Sequence, residues 1–268
     1  MVHFRTLFAL VFSFGVFLSA TAGAGDYFPA KGAVVETAVI DDGFEFDFKF
    51  NGWLAQLNTN VSNTRIGYED NIFIGLGDIL GNLDWMLPVG ADLRKGRVGF
   101  LPDIVAMKLS GASPTPRRLF ARMDASLKLL TANLPFYYRV VDDEDLQLDL
   151  LAGARFLWVE SDVTVSGGPL GRVIGSAGAQ GNIQSWNAIA GIRAQQQIND
   201  KIFTSIYADM GTGEADLTWQ VQADIGIRMK ENMIMSVGYR YLTFDLSRRA
   251  TNVGLTSSGP IIVTTWEF

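Results

Sequence analysis

From Leu217 to Met229 every odd position is apolar and every even one is polar or glycine. A period of two is the signature of a strand with one face in an apolar medium and the other outside it. The same alternation sets Phe46, Phe48 and Phe50 against Glu45, Asp47, Lys49 and Asn51, and Trp85, Leu87, Val89, Ala91 and Leu93 against Asp84, Gly90, Asp92 and Arg94. Met233, Met235, Val237, Tyr239 and Tyr241 alternate with Ser236, Gly238 and Arg240. Collecting such runs predicts about ten strands, at 45–58, 82–95, 97–110, 118–140, 146–160, 185–198, 201–211, 216–229, 232–246 and 259–268.

The connections fall into two classes. Tight turns are expected at Lys95-Gly96, Asp142 to Asp145, Asn199-Asp200 and Lys230 to Asn232, and longer loops at 59–81, 111–117, 161–184, 212–215 and 247–258. The two classes alternate, so all tight turns lie on one rim together with both chain ends, as an even strand count requires. In the fourth segment the apolar phase moves from odd positions up to Leu129 to even positions from Leu134 to Val140, which implies a β-bulge or a split strand. Eight or twelve strands are therefore also compatible. Gly75 to Leu80 suits a short helix, residues 161–184 a flexible loop, and residues 25–43 a lead-in without alternation.

The polar faces are repeatedly charged, and aromatics cluster near strand ends: Trp85, Phe136, Tyr138, Trp158, Trp219, Tyr239, Tyr241, Trp266 and Phe268. A soluble β-sandwich also alternates, but charged inward faces with aromatic girdles are features of a transmembrane barrel. The N-terminus joins a cationic Met1–Arg5 to an apolar Leu7–Leu18 and to small residues ending at Ala22 or Ala24, the pattern of a removable secretory signal. That apolar run is too short to cross about 30 Å of hydrocarbon as a helix. Residues 1–24 are thus expected to be a signal peptide, 25–43 a periplasmic lead-in and 44–268 an all-β, antiparallel, up-and-down barrel of a Gram-negative outer membrane.

Several stretches also resemble a family of small, mostly uncharacterised proteobacterial outer-membrane β-barrel proteins, porin-like and within the membrane-anchor barrel superfamily. They are Asn82-Leu83-Asp84, Arg94-Lys95-Gly96-Arg97 with Gly99 and Asp103, Gly153-Ala154-Arg155, Asp216 with Trp219-Gln220, and Gly238 to Leu242. Val98 stands where that pattern leads one to expect tryptophan, so the match is to the family and not to a close relative. The closing Trp266-Glu267-Phe268 resembles the C-terminal signal read by the outer-membrane barrel assembly machinery. The resemblance implies fold and location and carries no activity with it.

Chemistry is narrowed by what the chain lacks. It has no cysteine, which excludes disulfides and thiolate metal sites, and its one histidine, His3, lies in the leader. Outer-membrane barrel enzymes that use histidine as the base near neutral pH are thereby excluded. A net charge of −6 without a basic stripe argues against nucleic acid. No cofactor or metal site is expected, and the acidic turn Asp142–Asp145 lacks the spacing of a calcium loop. The candidate functional residues are the charges assigned to the lumen: Asp84, Asp92, Asp103, Asp124, Asp149, Asp209 and Asp224 beside Arg94, Arg122, Lys128, Arg155, Arg193, Arg228 and Arg240. Balanced charges in a narrow lumen read first as an ion-pair filling. The expected role is non-enzymatic, structural or surface-interacting, with outer-membrane lipid, lipopolysaccharide and the assembly machinery as partners; a narrow porin-like channel is the alternative. Oligomeric state is not legible.

Overall fold

The computed structural model describes residues 43–65, 67–114, 122–167, 176–230, 232–248 and 250–268. The leader and all of the lead-in except Gly43 lie outside the described residues. The chain forms β1 (Phe44–Trp53), β2 (Gln56–Asn63), β3 (Tyr68–Ile74), α1 (Leu76–Gly81), β4 (Leu83–Lys95), β5 (Val98–Phe100), β6 (Asp103–Pro114), β7 (Arg122–Asp142), β8 (Leu146–Ser166), β9 (Ala177–Gln197), β10 (Ile202–Gly213), β11 (Leu217–Lys230), β12 (Met233–Arg248) and β13 (Thr251–Glu267). Every pairing is antiparallel, and the ring closes where β1 meets β13.

Three walls of the ring are composite. β13 pairs with β1 through Ile261–Glu267 and with β2 through Thr251–Ser258, so β1 and β2 are two lengths of one wall, interrupted at Leu54-Ala55. β3 continues β4 in the same way, with α1 inserted between them. β5 and β6 both run between β4 and β7, broken at Leu101-Pro102, where proline has no N–H to give to the ladder. Counted by walls, the barrel is ten-stranded, and the tight turns and both described chain ends share one rim, called lower below.

The two faces of each wall exchange character partway up. In β8 the inward odd positions carry Gln147, Asp149 and Arg155, with Leu151 and Gly153 between them, and then turn mainly apolar with Leu157, Val159 and Val163, while the outward even positions are apolar up to Trp158 and then read Glu160, Asp162 and Thr164. In β12 Arg240 gives way to Leu242, Phe244 and Leu246 inside, as Tyr239 and Tyr241 give way to Thr243, Asp245 and Ser247 outside. β1 places Lys49 and Asn51 inward, whereas its continuation β2 places Leu57 and Val61 there and Asn58 and Asn60 outside. The lower half thus has a polar interior and an exposed apolar band that includes Phe50, Leu87, Phe136, Leu150, Ile206, Ile225 and Val237, the architecture of a transmembrane barrel.

The upper half is built like a soluble sandwich. β10 and β11 end level with Asn187 and Asp245, so above them the ring is no longer continuous. β6, β7, β8 and β9 form one sheet and β12, β13, β2 and β3 another, and their inner faces meet in a core of Leu57, Leu109, Leu129, Leu157, Val159, Phe244 and Leu246. Two sheets joined through interdigitated apolar faces are a stable arrangement in water.

This inversion explains where the sequence reading went astray. β7 has no break at Leu129: its odd positions from Met123 to Arg139 point inward throughout, and the apolar phase moves because inside and outside exchange polarity. The ladder shifts only between Arg139 and Val141. Residues 59–63, 68–74, 161–166, 177–184 and 251–258, expected in loops, are strands that rise above the apolar band, and the short helix expected at Gly75–Leu80 is α1.

A charge on the exposed apolar band is expected to cost far more than the same charge on the upper outer wall. Val237→Arg is predicted to lower refolding stability in phospholipid vesicles by about 2–4 kcal/mol, and Ser247→Arg to change it by no more than about 0.5 kcal/mol. Urea titration of tryptophan emission in both variants checks the pair.

Candidate functional site

Just below the level of inversion the inward faces of seven walls bring their charges together in two groups, which touch where Tyr137 and Tyr207 pack in one cluster with Leu151. In the first, Arg155 of β8 is wholly buried and donates from Nη2 to both carboxylate oxygens of Asp209 on β10, at 2.7 and 2.5 Å. Its Nε donates to Asn133 Oδ1 at 2.5 Å and its Nη1 to Thr218 Oγ1 at 3.0 Å, and the Tyr207 hydroxyl donates to Asp209 at 2.6 Å. Asn133 Nδ2 lies 3.4 Å from both Gln220 and Asp103 and so leads to the neighbouring pair, Asp103 with Arg240. Asn51 of β1 donates to Asp103 at 2.7 Å, and the Arg240 guanidinium lies 5.0 Å from the centre of the Trp53 ring.

In the second group Arg193 of β9 bridges Asp92 of β4 at 2.6 Å and Asp149 of β8 at 2.8 Å. Arg139 Nε donates to the other Asp149 oxygen at 2.8 Å, and the Tyr137 hydroxyl donates to Asp92 at 2.7 Å. The Tyr137 ring lies 4.6 Å beneath the Arg193 guanidinium and occupies the space above Gly99, where any Cβ would overlap the ring. Glycine is needed there because the narrow lumen must hold an aromatic ring flat against its wall. Each buried guanidinium has a carboxylate at ion-pair distance, which is the main condition under which buried charge is tolerated, while the Nε of Arg240 has no hydrogen-bond partner among the described residues.

Asp92, Asp103, Asp149, Arg155, Arg193, Asp209 and Arg240 thus belong to one girdle. Asp84, Arg122, Asp124 and Lys128 do not face the lumen. They stand on the outer wall near or above the top of the apolar band, where Asp84 pairs with Lys108 and Ser110, Arg122 with Asp124, and Lys128 with Glu160. Arg94 pairs with Glu45 at the lower rim, Arg228 lies there beside Gln197 and the Phe203 ring, and Asp224 accepts from Gln222 in the lower lumen. Arg139, Tyr137 and Tyr207 were missed, although Tyr137 and Arg139 occupy the inward phase of a run whose even positions are apolar. That phase was the available signal. Trp266 and Phe268 pack against Phe48 and Phe46 across the closing seam, at 5.8 and 5.7 Å between ring centres.

Beneath the girdle a polar vestibule of about 300 Å³ opens toward the lower rim. It shares no lining residue with the two smaller apolar cavities above. Among the described residues no group of three or more acidic side chains is placed to hold a metal ion.

Neither a protein-family model nor a curated protein sequence matches the chain. Among solved structures, the outer membrane protease OmpT of Escherichia coli aligns with a TM-score of 0.51 at 8% identity, over 87% of this chain and 99% of that one. The transport unit of the autotransporter AIDA-I from Escherichia coli gives a TM-score of 0.40 at 10% identity over 88% and 93%. Ail of Yersinia pestis gives 0.37 at 10% over 84% and 99%. The likeness to the first of these shows the fold, an outer-membrane-type barrel.

Removing one member of the Arg155–Asp209 pair strands the other as a buried charge. Arg155→Met is expected to cost about 3–5 kcal/mol, whereas the double variant with Asp209→Leu recovers most of that loss. Equilibrium unfolding of the wild type, the two single variants and the double variant closes the cycle.

Proposed function

We propose that the protein is an integral outer-membrane barrel without catalytic activity, closed to solute flow, that acts through the raised upper half it holds above the bilayer. The outward apolar band with its aromatic edges supports the membrane placement, the lower rim facing the periplasm and the upper half facing the outside. Outer-leaflet lipid and lipopolysaccharide are then its immediate surroundings, and the closing strand with Trp266 and Phe268 is the segment offered to the assembly machinery. The single observation that carries the closed reading is the girdle of Arg139, Arg155, Arg193 and Arg240 with their carboxylates, capped by the apolar core of Leu129, Leu157 and Phe244. A water column would have to cross both layers. The non-catalytic reading draws on the absence of histidine from residues 43–268 and on the mutual pairing of the girdle charges.

A narrow channel is the second reading, favoured by the 300 Å³ vestibule, which admits water and small ions as far as the girdle. Planar-bilayer recording of refolded residues 25–268 separates the two, with folding verified by heat-modifiable gel mobility. A silent bilayer is expected. Stable conductance steps whose size changes on Arg240→Gln would overturn the closed reading and make the girdle a selectivity filter.

A further inference from the structure

Among the described residues β3 has one ladder partner, β2, and β6 above Ser110 has one, β7. Between these two edges no strand pairing is present among the described residues, and the foot of the breach is filled by α1. This helix has six residues, no side-chain N-cap at Gly75 and a single buried residue, Ile79. One turn and a half of uncapped helix has little stability of its own, so its place depends almost wholly on that one anchor.

Behind α1 the wall contains an apolar cavity of about 30 Å³ that runs from Leu54 and Leu80, exposed on the outside, to Met107 and Leu129 inside. Leu129 also lines a second cavity of about 50 Å³ between the two upper sheets, walled chiefly by Leu, Ile and Val. No charged side chain lines either space. Trp85 and Leu87, which flank Met86 of the first cavity's lining along β4, are both exposed on the outer wall. A passage that begins in an apolar surface and ends in a mainly apolar core discriminates by chemistry: it favours hydrocarbon over headgroups and water.

We propose that the upper core is a binding site for a single hydrocarbon chain, which enters sideways through the breach when α1 gives way. Both cavities are smaller than the ~150 Å³ that accommodates benzene in an engineered core, so the site opens only as the chain enters. The unladdered breach permits that widening without breaking strand pairs. The chain belongs either to a free fatty acid or to a lipid of the surrounding leaflet; the lateral route rests on the membrane placement proposed above, whereas binding of a free acid in micelles does not.

The absence of cysteine allows a clean reporter. Leu80→Cys carrying bimane places a fluorophore at the exposed mouth of the passage, and Ile262→Cys places a control on the outer apolar band. 12-Doxyl-stearic acid is titrated in micelles, and phosphatidylcholine bearing the same 12-doxyl chain is incorporated into vesicles. Saturable quenching at position 80, reversed by unlabelled stearate and weakened at least ten-fold by filling the passage with Ala55→Phe or Leu129→Phe, is the expected result. Quenching by the phospholipid alone also supports the site and identifies a membrane lipid as the source. Quenching that is no more saturable at 80 than at 262, or that persists unchanged in both filled variants with native gel mobility, overturns the proposal. A conducting wild-type barrel would defeat the closed reading without touching this one.

Discussion

Everything in this molecule depends on one constraint: a strand has two faces, and a wall that stands partly in hydrocarbon and partly in water must exchange their polarity where it crosses the boundary. Within hydrocarbon the outward face must be apolar and every backbone group must be paired, which forces a closed ring. Above it the outward face must be polar, and only the inward face remains for apolar residues. The exchange occurs at Arg155/Trp158 in β8 and at Arg240/Tyr241 in β12, in each case with an inward arginine next to an outward aromatic.

The girdle and the upper core are the two consequences. Ten walls enclose a lumen that side chains must fill, and in the lower half that filling is polar. Paired arginines and aspartates balance one another's charge there, above a vestibule that opens to the lower rim. In the upper half the ring no longer has to be complete, since water can satisfy free backbone groups. β10 and β11 stop early, the sheets separate, and α1 can replace a length of strand between β3 and β4. The breach is therefore a feature of the watered half and the girdle one of the lipid half, and they meet within one or two residues of Trp53, whose ring contacts Arg240 and also lines the passage behind α1.

Much of the lower half was legible in the sequence because its alternation is clean: Leu217–Met229 in β11 and Phe46–Phe50 in β1 name both faces without ambiguity. The upper half was not, because Asn60 and Asp162 read as loop residues to anyone expecting apolar residues outside, and the strands holding Asn58 and Glu160 were ended at those residues. The phase change at Leu129 was visible and was taken for a bulge or a split strand; it marks the boundary itself. Asp84, Arg122, Asp124 and Lys128 were assigned to the lumen for the same reason, since charge on an outer wall makes sense only above the hydrocarbon. Arg139 and Tyr137 follow from the alternation alone, whereas the contact of Arg155 with Asp209 needs the register of β8, β9 and β10, which no local pattern contains.

The most direct test is a single-cysteine scan along β8, at outward positions 152, 154, 156, 158, 160 and 162 and inward positions 157, 159 and 163, in vesicles. Reaction with a membrane-impermeant maleimide is expected from 160 upward on the outward face and nowhere on the inward one. Quenching of an attached fluorophore by doxyl lipid is expected up to 158 and not beyond. Doxyl quenching that continues through 162, or ready maleimide labelling at 157 and 159, would show that the faces do not exchange and would contradict the account.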